Sequence, residues 1–313
     1  MSLSIIVPVY NESENINPFT DRVLLVLNKI NVKYEIIFVL DPSEDDTENK
    51  ILELIKKNPN IKLIKFSRRF GQPSAMLAGI KNSSMDNVVL IDVDLQDPPE
   101  LLEQMYESRK EGYETILAKR SKKKGENIIK KIISDLGYFL IYKLSDTNIP
   151  RNVGEFRLIS RRVVKEIEKL EEREFFLRGA NSYIGFKQKV LNFDRESRSK
   201  GITKFNKFTG SLRVGLNGIF SFSTKPLHYI TVASSIAFFG SLIIFLLYLI
   251  LTFLKLFVFK YQFFIIVLIL LVSSLIFFSQ GIMAEYIARI VPDIKKRPRY
   301  IIEKKYNFED EKK

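Results

Sequence analysis

The decapeptide at 91–100, IDVDLQDPPE, places Asp92, Asp94 and Asp97 within six residues, directly after the apolar run Val88-Val89-Leu90-Ile91. Strand side chains alternate between faces, so Asp92 and Asp94 share one side if the strand persists. Two carboxylates on one side repel unless a cation lies between them, and oxygen donors suit a hard divalent ion, Mg²⁺ or Mn²⁺. Such an ion completes its shell with waters and substrate phosphates, so the pattern points to a metal-bridged diphosphate. Asp97, followed by two prolines, reads instead as the N-cap of a helix over 98–110.

Several other chemistries are set aside by composition. The chain has no cysteine, which removes disulfides, thiolate nucleophiles and Cys-ligated zinc. Its one histidine, His228, stands at the mouth of an apolar segment and reads as an interfacial packing residue, not as a base or a zinc ligand. The turn PVYNESE lacks the glycines of a dinucleotide fingerprint, and no GxxxxGK[ST] occurs, so no glycine cradle for phosphate is present.

The elements that must position the acids follow from periodicity. Short β-rich runs at 3–9, 34–40, 61–66, 88–93 and 115–118 alternate with segments whose apolar residues recur at helical spacing. That alternation predicts parallel strands with helices on both faces. Ligands of such sheets sit beyond the carboxyl ends of the strands, here 8–12, 41–47, 67–71 and 92–97. Beyond Arg120 the pattern changes to a basic amphipathic stretch at 127–144, the segment GEFRLISRR at 154–162, and an alternating run at 186–193. Residues 203–222 place Phe205, Phe208, Leu212, Leu216, Ile219 and Phe220 at helical spacing among basic residues, as in a helix lying in a headgroup plane.

Residues 226–254 and 261–284 contain no Asp, Glu, Lys or Arg. Each exceeds the ~20 residues a helix needs to cross the hydrocarbon core, which predicts two transmembrane helices joined by the short loop 255–260. Lys225, Arg289, Lys295, Lys296, Arg297 and Arg299 flank the hairpin on one side, so the N-terminal domain and the tail are expected to be cytoplasmic. The start MSLSIIVPVY has neither the charged region nor the apolar length of a signal peptide. A formal charge of +13 suits nucleic acid or anionic lipid, and the adjacent hairpin favours lipid. The expected order is a catalytic domain at 1–202, an interfacial helix region at 203–225, two spans within 226–290 and a basic tail at 291–313.

SIIVPVYNE, the loop Asp41-Pro-Ser-Glu-Asp-Asp-Thr, SRRFGQPSAMLAGI, IDVDLQDPPE, AKR at 118–120, GEFRLISRR, RSKGITKF and FSFSTKPL stand in that order before the two apolar segments. This series resembles the family 2 glycosyltransferases, and within them the polyprenyl-phosphate branch of dolichol-phosphate mannosyltransferases and bactoprenol glucosyltransferases. The resemblance implies an A-type glycosyltransferase fold, a Rossmann-like mixed sheet in an α/β domain, followed by juxtamembrane amphipathic helices and the transmembrane hairpin. It implies Pro8, Tyr10, Glu12, Asp41 and Asp92 around the nucleotide, Asp92, Asp94 and Gln96 around the metal and sugar diphosphate, and Asp94 and Glu155 as catalytic. Two departures stand out. The family often has paired aspartates where this chain has Leu40-Asp41, and GDFR where it has Gly154-Glu155-Phe156-Arg157.

The implied reaction is inverting attack of a lipid phosphate oxygen on the anomeric carbon of a nucleotide-activated sugar. Arg195, Arg198 and Lys204 suit the departing diphosphate, because guanidinium and ammonium groups match phosphate oxygens. Arg120, with Lys130 and Ser134 four residues apart on one helix face, matches the positions where the family grips the acceptor phosphate, and Lys131 is the neighbour in an alternative register. A phosphate monoester, with its second pKa near ~6, arrives mostly ionised, so Glu155 serves as a base, orients the acceptor or balances Arg157. The implied partners are a nucleoside-diphosphate sugar, a polyprenyl phosphate and the bilayer, not nucleic acid; a homo-oligomer is admitted. Three rival readings are a processive polysaccharide synthase, which normally carries QxxRW where this chain has no tryptophan, a non-catalytic membrane scaffold, and a nucleic-acid-binding protein, which would explain the charge but not the hairpin.

Overall fold

The computed structural model describes residues 1–121, 153–170, 177–194, 225–254 and 261–308. The first half is an alternation of strands and helices: β1 (Leu3–Val9), α1 (Ser13–Ile30), β2 (Tyr34–Leu40), α2 (Thr47–Lys57), β3 (Ile61–Phe66), α3 (Gln72–Lys81), β4 (Asn87–Leu90), α4 (Leu101–Lys110) and β5 (Thr115–Arg120). There follow β6 (Val153–Ser160), α5 (Arg161–Lys169), α6 (Leu177–Ile184), β7 (Gln188–Phe193), the long helices α7 (Lys225–Phe253) and α8 (Tyr261–Ile294), and β8 (Ile302–Tyr306). Three strands begin and end where periodicity put them. The fourth stops at Leu90, short of the acids, and β5 runs on to Arg120.

One sheet of eight strands holds the domain together, in the order β7-β5-β6-β4-β1-β2-β3-β8. β1 pairs in parallel with β2 on one side and β4 on the other, so the chain changes direction of travel across the sheet at β1 and β4. A crevice opens at such a switch point, beyond the carboxyl ends of the two strands. The sheet is mixed, because β6 runs antiparallel to β4 and β5, and β8 antiparallel to β3.

Alternating side chains feed two apolar layers. Leu3, Ile5 and Val7 of β1, with Ile36, Phe38 and Leu40 of β2, meet Ile16, Phe19 and Val23 of α1, Ile51 of α2 and Leu102 and Met105 of α4 on one face. Ile6, Ile37 and Val39 point the other way, onto Ala75 to Ile80 of α3, Val163, Val164 and Ile167 of α5, and Leu177 and Ala180 of α6. Burial of both faces explains why the parallel strands read as continuous apolar runs. Helix α3 lies closest to the sheet: a Cβ at Gly79 would collide with the Ile6 side chain, so only glycine lets the helix approach β1 this far.

Helices α7 and α8 occupy the two charge-poor segments and touch each other. Ile236, Ile243, Leu247, Ile250, Ile269 and Phe277 among them are exposed. Among the described residues, one stretch, Val272–Ile294, is long and apolar enough to cross a membrane. The segment expected to be a basic tail does more than that, since Ile302–Tyr306 adds the outer strand β8 to the sheet. The predicted helices over 127–144 and 203–222, and the loop 255–260, lie outside the described residues.

Candidate active site

Four segments meet at the carboxyl edge of the central strands. β1 ends into Tyr10-Asn11-Glu12, β2 into Asp41, β3 into the loop 67–71 and β4 into Asp92 to Asp97. Asn11, with φ +50°, turns the chain and ties two of these loops: its N–H donates to Ser43 Oγ at 2.9 Å, and its Oδ1 accepts the Glu44 N–H at 2.9 Å. The Glu12 N–H donates to Thr47 Oγ1 at 2.9 Å. Pro8 is half-buried within β1, and Tyr10 lies beneath the Arg69 guanidinium, 4.0 Å from Arg69 Cζ to the ring centroid. Asp41 is buried, and its two carboxylate oxygens accept the backbone N–H groups of Phe70 and Gly71 at 2.8 and 2.9 Å.

The acids are not arranged as the strand pattern predicts. Because β4 ends at Leu90, Asp92 and Asp94 come from a turn in which Leu95 adopts φ +58°, and their proximity is a product of that turn and not of the pleat. Asp94 Oδ1 accepts the Gln96 N–H at 3.2 Å, and Asp92 Oδ1 accepts from Gln72 Nε2 at 2.7 Å. Asp97 is no helix cap. Helix α4 starts three residues later than expected, at Leu101 behind a turn through Pro98 and Pro99, and Asp97 is instead buried against Arg120, Oδ1 to Nη2 3.5 Å.

Antiparallel β6 supplies the remaining wall. Its register pairs Leu90 with Arg157, so its N-terminal end, with Gly154 and Glu155, lies at the edge where β4 and β5 deliver their C-terminal ends. Glu155 Oε2 accepts from Arg157 Nη2 at 3.1 Å, and its Oε1 accepts from Arg178 Nε of α6 at 2.8 Å. Arg157 is fully buried and also donates to the Gly154 carbonyl at 2.7 Å. Gly154 leaves room for Arg120: a Cβ there would lie 3.2 Å from Arg120 Nη2.

The electrostatics follow from this crowding. Burial first, and then the Asp97, Asp94 and Glu155 carboxylates, together push the Asp92 carboxyl up to about 7 against the opposing pull of Arg120. Burial also pushes the Glu155 carboxyl up, yet Arg157, Arg178 and Arg120 together outweigh it and hold the group below its usual range. Arg157 is lowered to about 10 by burial, despite the neighbouring Glu155. One carboxyl is thus held toward its neutral form by burial and crowded acids, and the other is already balanced by guanidinium groups.

Among the described residues, no three His, Cys, Asp or Glu side chains are grouped to hold an ion by themselves. The donors present, the Asp92 and Asp94 carboxylates and the Gln96 amide, fit a hard divalent ion that draws its other ligands from phosphates and water. Of the predicted residues, Pro8, Tyr10, Glu12, Asp41, Asp92, Asp94, Gln96, Arg120 and Glu155 come to this one edge. Arg195, Arg198, Lys204, Lys130, Lys131 and Ser134 lie outside the described residues. Two contacts had no sequence signal. Gln72 is one residue inside a helix and Arg178 stands 23 positions from the Glu155 it binds; only the packing of α3 and α6 brings them in.

A family model described as "Glycosyl transferase family 2" matches residues 4–168. The chain belongs to that family. As a family 2 glycosyltransferase it is similar along nearly its whole length to other proteins named as glycosyl transferases. The "Uncharacterized glycosyltransferase YkcC" of Bacillus subtilis is 38% identical, over 99% of this chain and 95% of its own. "Bactoprenol glucosyl transferase" of Shigella phage SfII is 37% identical, over 98% of this chain and 99% of its own. Among solved structures, glucosyl-3-phosphoglycerate synthase from Mycobacterium tuberculosis, in complex with Mn²⁺, UDP-glucose and phosphoglyceric acid, is 16% identical, covers 70% of this chain and 79% of its own, and has a TM-score of 0.49.

Proposed function

We propose that this family 2 glycosyltransferase moves a hexosyl group from a nucleoside-diphosphate sugar to a polyprenyl phosphate at the cytoplasmic face of a membrane, with inversion, and that it requires Mg²⁺ or Mn²⁺. The reading is supported above all by the acidic crevice around Asp92, in a chain that matches a bactoprenol glucosyl transferase nearly end to end. The nucleotide lies against Pro8, Tyr10, Glu12 and Asp41, and Asp92, Asp94 and Gln96 hold the cation. When bound there, the ion supplies Lewis-acid stabilisation of the leaving diphosphate. Arg195, Arg198 and Lys204 add positive charge to the same leaving group.

The acceptor phosphate is gripped by Arg120, Lys130 and Ser134. Glu155 orients it and keeps Arg157 and Arg178 in place; a carboxylate held this far into its ionised form is a weak base, and an ionised phosphate needs none. Helices of 29 and 34 residues reach ~44 and ~51 Å, enough for a two-span hairpin. Their exposed isoleucines, leucines and phenylalanines call for a lipid surround. A prenyl tail keeps the acceptor phosphate at headgroup level, so a tethered domain meets it in two dimensions and in fixed orientation.

The test incubates membranes containing the protein with radiolabelled nucleotide sugars and undecaprenyl phosphate, with and without EDTA. Label is expected in the lipid phase only when divalent metal is present; transfer indifferent to EDTA defeats the metal assignment, and label in a water-soluble or polymeric product defeats the acceptor. A pH dependence follows from Asp92. Its carboxyl is protonated below about 7, and the cation must displace that proton. Mn²⁺ affinity of the nucleotide-free protein, followed by the resonance of free Mn²⁺, should therefore rise about tenfold per pH unit up to that value and level off above it. A flat profile between pH 5.5 and 7.5 would exclude Asp92 as the ligand.

A further inference from the structure

After α8 the chain does not trail away. A short connection, 295–298, leads from the long helix directly onto the loop that follows β3. The Tyr300 ring stacks on Phe66, centroids 5.3 Å apart at 17°, and Phe66 in turn meets Phe70 edge-on at 5.5 Å. The Ile301 carbonyl accepts the Ser67 N–H at 3.1 Å, and Arg299 Nη2 donates to the Leu170 carbonyl at 2.8 Å. Strand β8 then pairs with β3 along its length, and Asn307 Nδ2 donates to the Pro59 and Ile61 carbonyls at its far end.

What the first of these residues touch matters most. The 67–72 segment, the loop 67–71 with the first residue of α3, is the one whose N–H groups at Phe70 and Gly71 rest on Asp41 and whose Gln72 reaches Asp92. It also carries Arg69 over Tyr10. Phe70 therefore faces Asp41 through its backbone and Phe66 through its ring, and Tyr300 stacks on that same Phe66. A strand added only to cover an edge would need the pairing of Ile302–Tyr306; it would not need Tyr300 stacked on Phe66, the buried residue from which the loop leaves β3.

We propose that residues 299–306 are a latch for the donor site, with Tyr300 a positioning residue that holds the 67–72 loop in its nucleotide-binding form and couples it to α8. The inference rests on the donor lying against Asp41 and Asp92. Because binding is reciprocal, whatever stabilises the latched loop tightens nucleotide binding, and nucleotide binding tightens the latch.

The experiment uses the full-length protein in detergent, with Mn²⁺ and each of UDP, GDP, CDP and dTDP in turn, by titration calorimetry. For the tightest of these, Tyr300→Ala should bind about tenfold more weakly, whereas Tyr300→Phe, which keeps the ring stack, should match the parent. Donor KM should rise by the same factor, with kcat and the KM for polyprenyl phosphate unchanged. In the parent protein, nucleotide should slow amide hydrogen exchange over 301–306. A Tyr300→Ala variant with parental unfolding temperature and parental nucleotide affinity overturns the latch; so does unchanged exchange over 301–306, which decides the matter even if the variant folds poorly. If the parent binds none of the four nucleotides, the donor reading itself fails. If Asp94→Asn loses nucleotide and Tyr300→Ala does not, only the latch fails.

Discussion

Asp94→Asn is expected to lower sugar transfer by roughly three orders of magnitude, the rate equivalent of the ~4 kcal/mol that a metal-stabilised leaving group contributes. The substitution is nearly isosteric, and asparagine keeps the Oδ1 that accepts the Gln96 N–H at 3.2 Å, so the turn is preserved. Loss of activity at unchanged unfolding temperature is the expected result. Transfer within tenfold of the parent protein would remove Asp94 from the cation site. Asp92→Asn makes a sharper contrast, because Asp92 is held protonated up to about 7 by burial and by its acidic neighbours. A raised carboxyl pKa favours the fold below its unfolded value and loses that contribution as pH rises through the folded one. At pH 8 Asp92→Asn should therefore be inactive yet unfold at a higher temperature than the metal-free parent, as expected when charge is crowded for function.

Glu155→Gln is expected to be damaging in a different way, destabilising the catalytic domain by roughly 3–5 kcal/mol. Arg157 is fully buried, its Nη1 has no hydrogen-bond partner among the described residues, and Glu155 is the carboxylate paired with it. Removing that charge leaves a buried guanidinium with a second one, Arg178, close by. Chemical unfolding of Glu155→Gln, Arg157→Met and the double variant would measure this. The double variant should recover most of the stability lost by Glu155→Gln alone, since a buried pair can be replaced by apolar contact where half of it cannot be removed. A Glu155→Gln protein as stable as the parent and inactive would instead show that Glu155 acts on the bound acceptor and not as the counter-charge of Arg157. The pH sign is opposite to that of Asp92. The Glu155 carboxyl is lowered from 4.5, so its contribution is present above that value and is lost as pH falls through the lowered one.

The alternation of strands and helices up to α4 was legible in the residues, and so was the sheet edge at which the loops after β1, β2, β3 and β4 meet. Both faces of the sheet are covered, so β1, β2 and β3 are apolar throughout and are bounded by polar turns, a signal carried by adjacent residues. The acidic decapeptide was legible for the same reason. Its geometry was not: β4 stops at Leu90, and the two prolines after Asp97 form a turn before α4 instead of its first residues. A period-two pattern gives sides only for as long as the strand lasts.

The sequence by itself determined the fold class and the family, because the alternation of strands and helices and the ordered motifs are written in local spacing. Tertiary structure alone decided that Asp97 faces Arg120, that Arg178 joins Arg157 on Glu155, that Gln72 reaches Asp92, and that the segment after α8 returns as β8 beside β3. These contacts join residues far apart in the chain. They exist only once the sheet sets its strand order and the helices pack to fixed depth, and no local pattern encodes that order.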